Sequence, residues 1–233
     1  MTRATNITRD LCFADSYMSA ILVENVENYN ADGIVVNLTT STIFVEGEVD
    51  TPIQPWRSAT LRGKTVRKAD RIAVLKVENL ENLGGVMLRG WDWFGDIYDG
   101  FPRETPLFMS SIDTVGTVQE DPHLFTRERT ETTAPQQFEI KLKCWWSPNE
   151  TDCFIHNEHP FLEVHTQIHG IGRMQKFRER DASKVYEDVI MAPGFTHEPF
   201  CIVTGKNQWT YPWHRYYTDL ESIWLAIELH PVD

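Results

Sequence analysis

The chain is predicted to be all-β, on three observations. Apolar residues alternate with a period of two through most of its length, stripes at helical spacing are nearly absent, and turn dipeptides punctuate the alternating runs. In chain order, Arg9 to Ala20 is the one stretch read as a short helix. Beyond Asp32-Gly33, "GIVVNLTTSTIFVEGEV" reads as two short strands, and "RIAVLKVE" follows Arg62-Gly63. "GVMLRGW" begins at Gly84-Gly85. The clearest strand is "FEIKLKC", where Phe138, Ile140, Leu142 and Cys144 share one face and Glu139, Lys141 and Lys143 the other. "FLEVHTQI", "EDVIM" and "FCIVTG" continue the series, the last after the turn at Pro193-Gly194. At the end, "SIWLAIEL" puts Ile223, Leu225, Ile227 and Leu229 on one side. Many short strands divided by turns point to a sandwich, jelly roll or barrel rather than a parallel α/β sheet.

With 233 residues the chain can build one large β domain or two small ones. The segment from Phe101 to Gln137 is richer in Pro, Thr and charge and poorer in strand pattern. It divides the chain near residue 125, giving an N-terminal β unit over 1–125 and a C-terminal unit over 126–233. The net charge of −12, with basic residues interspersed among other types, repels a phosphate backbone, so a nucleic-acid partner is not expected. No run approaches the roughly 18 apolar residues of a membrane span, and the first residues lack the basic and apolar regions of a secretory signal. The four cysteines, Cys12, Cys144, Cys153 and Cys201, show no C-x-x-C pair and read as free thiols. Together these features place the chain in the cytoplasm and make the sequons at Asn6, Asn37 and Asn149 accidental.

The chemistry concentrates in "HNEHPFLEVHTQIHGIG", His156 to Gly172, which holds four of the eight histidines. On a strand, Glu163, His165 and Gln167 leave by one face, and Leu162, Val164, Thr166 and Ile168 by the other. A carboxylate or imidazole facing inward costs several kcal/mol unless paired, hydrogen-bonded or metal-bound, so an inward polar face implies a ligand, an ion or trapped water. Glu163, His165 and Gln167 are therefore the catalytic candidates: side chains on one cavity wall that orient a substrate or carry a proton. An exposed polar face or a hydrogen-bond network is the plainer alternative. His169, at the end of this run, is expected outside the cavity. "YPWHRYY", Tyr211 to Tyr217, and "GWDWFGDIYDGF", Gly90 to Phe101, are read as aromatic loops. In the first, His214 or Arg215 is a candidate to bind an anionic group, with interface packing as the plainer reading; for the second, ordinary loop packing comes before carbohydrate stacking.

Residues 150 to 231 resemble the cupin superfamily of double-stranded β-helix barrels. Its first motif, G-x5-H-x-H-x3,4-E-x6-G, is met at His156, Glu163 and Gly170. Glu158 stands in the slot of the second histidine, His159 comes one position late, and Glu150 replaces the leading glycine. The second motif, G-x5-P-x-G-x2-H-x3-N, is met at Gly194 and His197 in "MAPGFTHEPFC". Tyr186, Ala192 and Cys201 depart from its glycine, proline and asparagine, although Pro193 lies beside the proline slot.

This resemblance implies a cupin-like jelly roll carrying one divalent ion on His156, Glu163 and His197, with Glu158 or His159 as fourth ligand. Fe(II) is favoured, and Mn or Zn also suits such a set. It further implies a metal-dependent enzyme on a small polar molecule, of dioxygenase, isomerase or lyase type. Two alternatives stand beside it: a metal-free cupin that binds or senses a small molecule, and a structural subunit. Nothing in 1–125 reproduces the motifs, so that half is expected to be a second β domain, at most a degenerate cupin. The apolar face of Leu162, Val164 and Ile168 needs a cover, which a bicupin partner domain or a homodimer would supply. No P-loop, dinucleotide fingerprint, nucleophile elbow or H-E-x-x-H motif is present.

Overall fold

The computed structural model describes residues 4–126 and 135–232; residues 127–134 of the expected divider lie outside the described residues. The chain is nearly all β. Ile7–Asp10 (β1), Met18–Asn37 (β2), Ile43–Val45 (β3), Thr51–Ile53 (β4) and Ser58–Val77 (β5) form the first sheet, in the order β1-β2-β5-β3-β4. The expected helix at Arg9 to Ala20 is instead two strands and the turn between them. Asp15 decides this: its Oδ1 accepts the backbone N–H groups of Tyr17 and Met18, at 2.8 and 2.9 Å. Beyond it, Met18, Ala20 and Leu22 are buried in strand alternation.

β2 and β5 pair twice. Met18 to Ala31 runs antiparallel to Val77 to Lys64, and after Gly33 the residues Ile34 to Val36 meet both Leu75 to Ala73 and Thr60 to Ser58. The sheet therefore curls back on itself and encloses Val23, Val35, Ile43, Val66 and Ile72. Gly33 sits where this closure begins, at φ +142°, and a Cβ there would lie 2.7 Å from the Leu75 carbonyl oxygen, so only glycine allows so close an approach.

The remaining strands are Asp92–Trp93 (β6), Phe108–Met109 (β7), Asp113–Glu120 (β8), Gln136–Ser147 (β9), Thr151–Asp152 (β10), Leu162–His169 (β11), Gly172–Phe177 (β12), Val185–Met191 (β13), Ile202–Gly205 (β14), Gln208–Thr210 (β15), Trp213–Thr218 (β16) and Ser222–Pro231 (β17). A second sheet runs β11-β17-β9-β7-β6, with β8 also on β9; a third runs β10-β16-β12-β13; β14 and β15 form a hairpin. All pairings between these strands are antiparallel.

The second sheet lies between the other two. One of its faces carries Phe138, Ile140, Leu142, Leu162, Val164, Leu225 and Ile227, which pack in one core with Leu22, Val36, Ala73 and Leu75 of the first sheet. The apolar face of β11 is thus covered from within the chain by its N-terminal strands. Pairing also crosses the expected divider near residue 125, because β8 before it pairs with β9 after it, Asp113 opposite Leu142 and Glu120 opposite Gln136. The other face of the second sheet presents Trp145, Trp224 and Ala226 toward Met174, Met191 and Tyr216. Between that face and the third sheet the core opens into a cavity of about 530 Å³.

Candidate metal centre and cavity

Three histidines converge on the cavity. His156 and His214 face one another across an isolated antiparallel bridge, closed by two backbone hydrogen bonds: His156 N–H to His214 O at 3.0 Å and His214 N–H to His156 O at 2.9 Å. Paired residues of this kind carry their side chains side by side on one face. His159, three residues on, is held by the Trp209 indole N–H, which donates to its carbonyl at 3.1 Å, and by ring contacts to Phe161 and Tyr211. The His159 Nε2 lies 3.0 Å from Nε2 of both His156 and His214. One ligand atom from each lies within 4.8 Å of the others.

The tautomers decide what this cluster can do. The Nδ1–H of His156 donates to the Phe154 carbonyl at 3.1 Å and that of His214 to the Pro212 carbonyl at 2.8 Å. A neutral imidazole that donates through Nδ1 leaves a lone pair on Nε2. Burial pushes all three imidazoles toward the neutral form, His159 down to about 4, His156 below its ordinary value and His214 well below it. Nε2 lone pairs facing each other in a partly apolar cavity need a shared proton or a cation between them. At metal–nitrogen distances of about 2.1 Å, neighbouring ligand atoms sit about 3.0–3.4 Å apart, which two of the three separations match, and the backbone carbonyls supply the customary outer support.

Glu163 and His165 lie on β11 in the wall of the same cavity. The Glu163 carboxylate has Oε1 2.9 Å from His165 Nε2 and Oε2 3.8 Å from His159 Nδ1. The first contact is within ion-pair distance, and the two buried His165 ring nitrogens have no further polar partner. Burial raises the Glu163 carboxyl, but the charges of His165 and His159, the His165 contact and Lys143 outweigh it and hold the group well below its ordinary value. A second polar cluster completes the wall: Lys143 Nζ lies 2.7 Å from Glu228 Oε1, and His230 Nε2 lies 2.8 Å from Glu228 Oε2.

The remaining expected residues fall elsewhere. His197 does not join the cluster: its Nε2 accepts the His165 backbone N–H at 2.9 Å and its Nδ1–H donates to the Glu198 carbonyl at 2.8 Å. Both ring nitrogens are spent on backbone, and burial pushes the ring down to about 3. Its turn is anchored on the first sheet, where Ser58 Oγ donates to the Gly194 carbonyl at 2.9 Å. Gln167 is outside the cavity wall, with Nε2 donating to His169 O at 2.6 Å and Ser222 Oγ at 3.1 Å, and Oε1 accepting from Tyr216. Glu158 is exposed at the rim, and His169 lies outside the cavity wall as expected, beyond a shift of strand register between Gln167 and His169.

His214 is the member of the cluster that the sequence reading placed in a loop. It lies on β16, where Pro212 precedes a period-two run with His214, Tyr216 and Thr218 buried and Trp213, Arg215 and Tyr217 half-buried, an alternation legible in "WHRYYT". The loop from Gly90 to Phe101 arches over the opening. Its Phe94 meets the Trp145 ring edge-on at 5.0 Å, and its Tyr98 approaches Phe154 at 6.5 Å.

No family model and no curated protein matches the chain. Among solved structures, it is similar to a cupin 2 conserved barrel domain protein from Leptotrichia buccalis, at 10% identity over 98% of this chain and 92% of that one, TM-score 0.29. It is similar also to Bacillus subtilis oxalate decarboxylase, a protein with Mn(II) centres, at 9% identity over 100% of this chain and 79% of that one, TM-score 0.31. A DMSP lyase matches at 12% identity and TM-score 0.24 over 39% of this chain, which spans only 38% of that protein's length. Likenesses of this size carry no inference about function.

Proposed function

We propose that this chain is a metal-dependent enzyme that moves a proton on a small molecule bound in the cavity, in the manner of a lyase or isomerase. The observation behind it is the placing of His159 Nε2 at 3.0 Å from Nε2 of both His156 and His214, whose Nδ1–H groups are already given to carbonyls. His156, His159 and His214 would hold the ion. Imidazole donors without a carboxylate suit Zn(II) or Fe(II) better than Mn(II). Bound there, the ion would act as a Lewis acid that polarises a substrate oxygen. Glu163 would fix His159 from the outer side and His165 from the inner side. His165, with Nε2 2.9 Å from the Glu163 carboxylate and Nδ1 without a hydrogen-bond partner, is placed to take and return the substrate's proton. The aromatic wall would exclude water from that exchange.

Protein purified without a histidine tag is expected to carry about one divalent ion per chain, removable by chelator. His165→Gln is expected to keep that ion and to lower kcat about 10²-fold or more on any substrate found, with turnover unchanged under nitrogen. Protein isolated without metal, or turnover that requires dioxygen, would contradict the reading.

A further inference from the structure

A cation stands at the cavity's rim, which it shares with the exposed Glu158. Arg180, in the turn between β12 and β13, lines the opening and is exposed. Its guanidinium lies 4.7 Å from the Phe154 ring centre and 6.0 Å from that of Trp213. Among the described residues it has no carboxylate within ion-pair distance, whereas the neighbouring Arg173 and Arg215 are each paired, with Asp188 and Asp219 and with Asp152. Stacking on two aromatic faces holds the planar fork while leaving its N–H donors free, the arrangement that receives a carboxylate in bidentate fashion. Phe154 in turn lies nearly parallel to His156, at 6.3 Å and 11°. One ring therefore separates the rim cation from the histidine cluster.

Of the Lys and Arg side chains that line the cavity, Lys143 is matched by Glu228, and Arg180 is the one left with no carboxylate at ion-pair distance among the described residues. The wall between rim and cluster is built of Phe94, Tyr98, Trp145, Phe154 and Trp213, flat surfaces that favour a flat guest.

We infer that the substrate is a small carboxylic acid with a flat apolar body, its carboxylate held by Arg180 at the rim, its body stacked in the aromatic wall and its reactive polar end at the histidine cluster. Substrate class here rests on the proposed metal enzyme, yet it is measurable apart from it. Benzoate, benzamide and acetate serve as probes, with binding followed by tryptophan fluorescence in Co(II)-loaded protein and the cobalt visible spectrum read in parallel.

Benzoate is expected to bind at least about tenfold more tightly than either benzamide or acetate. Arg180→Gln is expected to weaken benzoate about tenfold while leaving benzamide affinity and the cobalt stoichiometry unchanged. Equal binding of benzoate and benzamide, or wild-type benzoate affinity in Arg180→Gln, overturns the inference, the latter because the carboxylate then goes to the metal. If cobalt fails to bind while benzoate still depends on Arg180, the metal reading falls and the carboxylate site stands.

Discussion

His197 stays neutral because it has no room for a second proton. One ring nitrogen donates to a carbonyl, the other accepts the His165 N–H, and the group is buried. A pKa lowered from 6.5 to about 3 means that the unfolded chain binds a proton in that window and the folded chain does not. Stability contributed by this group is present above pH 6.5 and is lost as pH falls toward 3. Chelator-treated wild type should lose about 2 kcal/mol more than His197→Gln between pH 6.5 and pH 5, read from urea midpoints. At pH 7 the variant should itself be less stable by about 1–3 kcal/mol, because the His165 N–H loses a well-placed acceptor. Identical acid slopes in the two proteins would mean that His197 titrates normally.

The same residue shows what a motif match conveys. Glu163 and His165 were legible because strand parity assigns their face, and His156 and His159 because they stand in or beside motif slots just before that strand. His197 met its motif slot equally well, but a spacing pattern does not say whether ring nitrogens are already committed to backbone. His214 lies 55 residues from its nearest partner in the cluster, His159. Only the pairing of His156 with His214 brings it in, and pairing across that distance has no local signature.

At the scale of elements, the alternation in "FEIKLKC" and "SIWLAIEL" translated directly into β9 and β17, since apolar faces must be buried whatever the topology. β17 is buried on both faces, because it lies between β11 and β9 in the middle sheet. What the sequence hid was curvature. The 20-residue strands β2 and β5 were read as shorter pieces, because turn-like residues such as Asp32-Gly33 occur where the sheet folds back rather than where it ends. Gly33→Ala should cost about 1–3 kcal/mol, since a Cβ would press on the Leu75 carbonyl at a positive φ. Metal content should stay at the wild-type level, because the first sheet packs on the opposite face of the second sheet from the cavity. An unchanged urea midpoint would show that the closure tolerates a side chain there.

At the scale of the whole molecule, three sheets divide the labour. The first covers the back of the second, and the second and third enclose the cavity between them. The sequence argument that Leu162, Val164 and Ile168 need a cover held, and the cover is the chain's own N-terminal strands. No helix among the described residues is long and apolar enough to cross a membrane. Cys144, Cys153 and Cys201 are buried within these layers and form no disulfide. Metal content in two single variants measures directly which distant strand completes the histidine cluster. His214→Ala should lose the bound ion while His197→Ala, though less stable, keeps about one per chain; the reverse pattern, with the ion retained without His214 and lost without His197, would contradict this assignment.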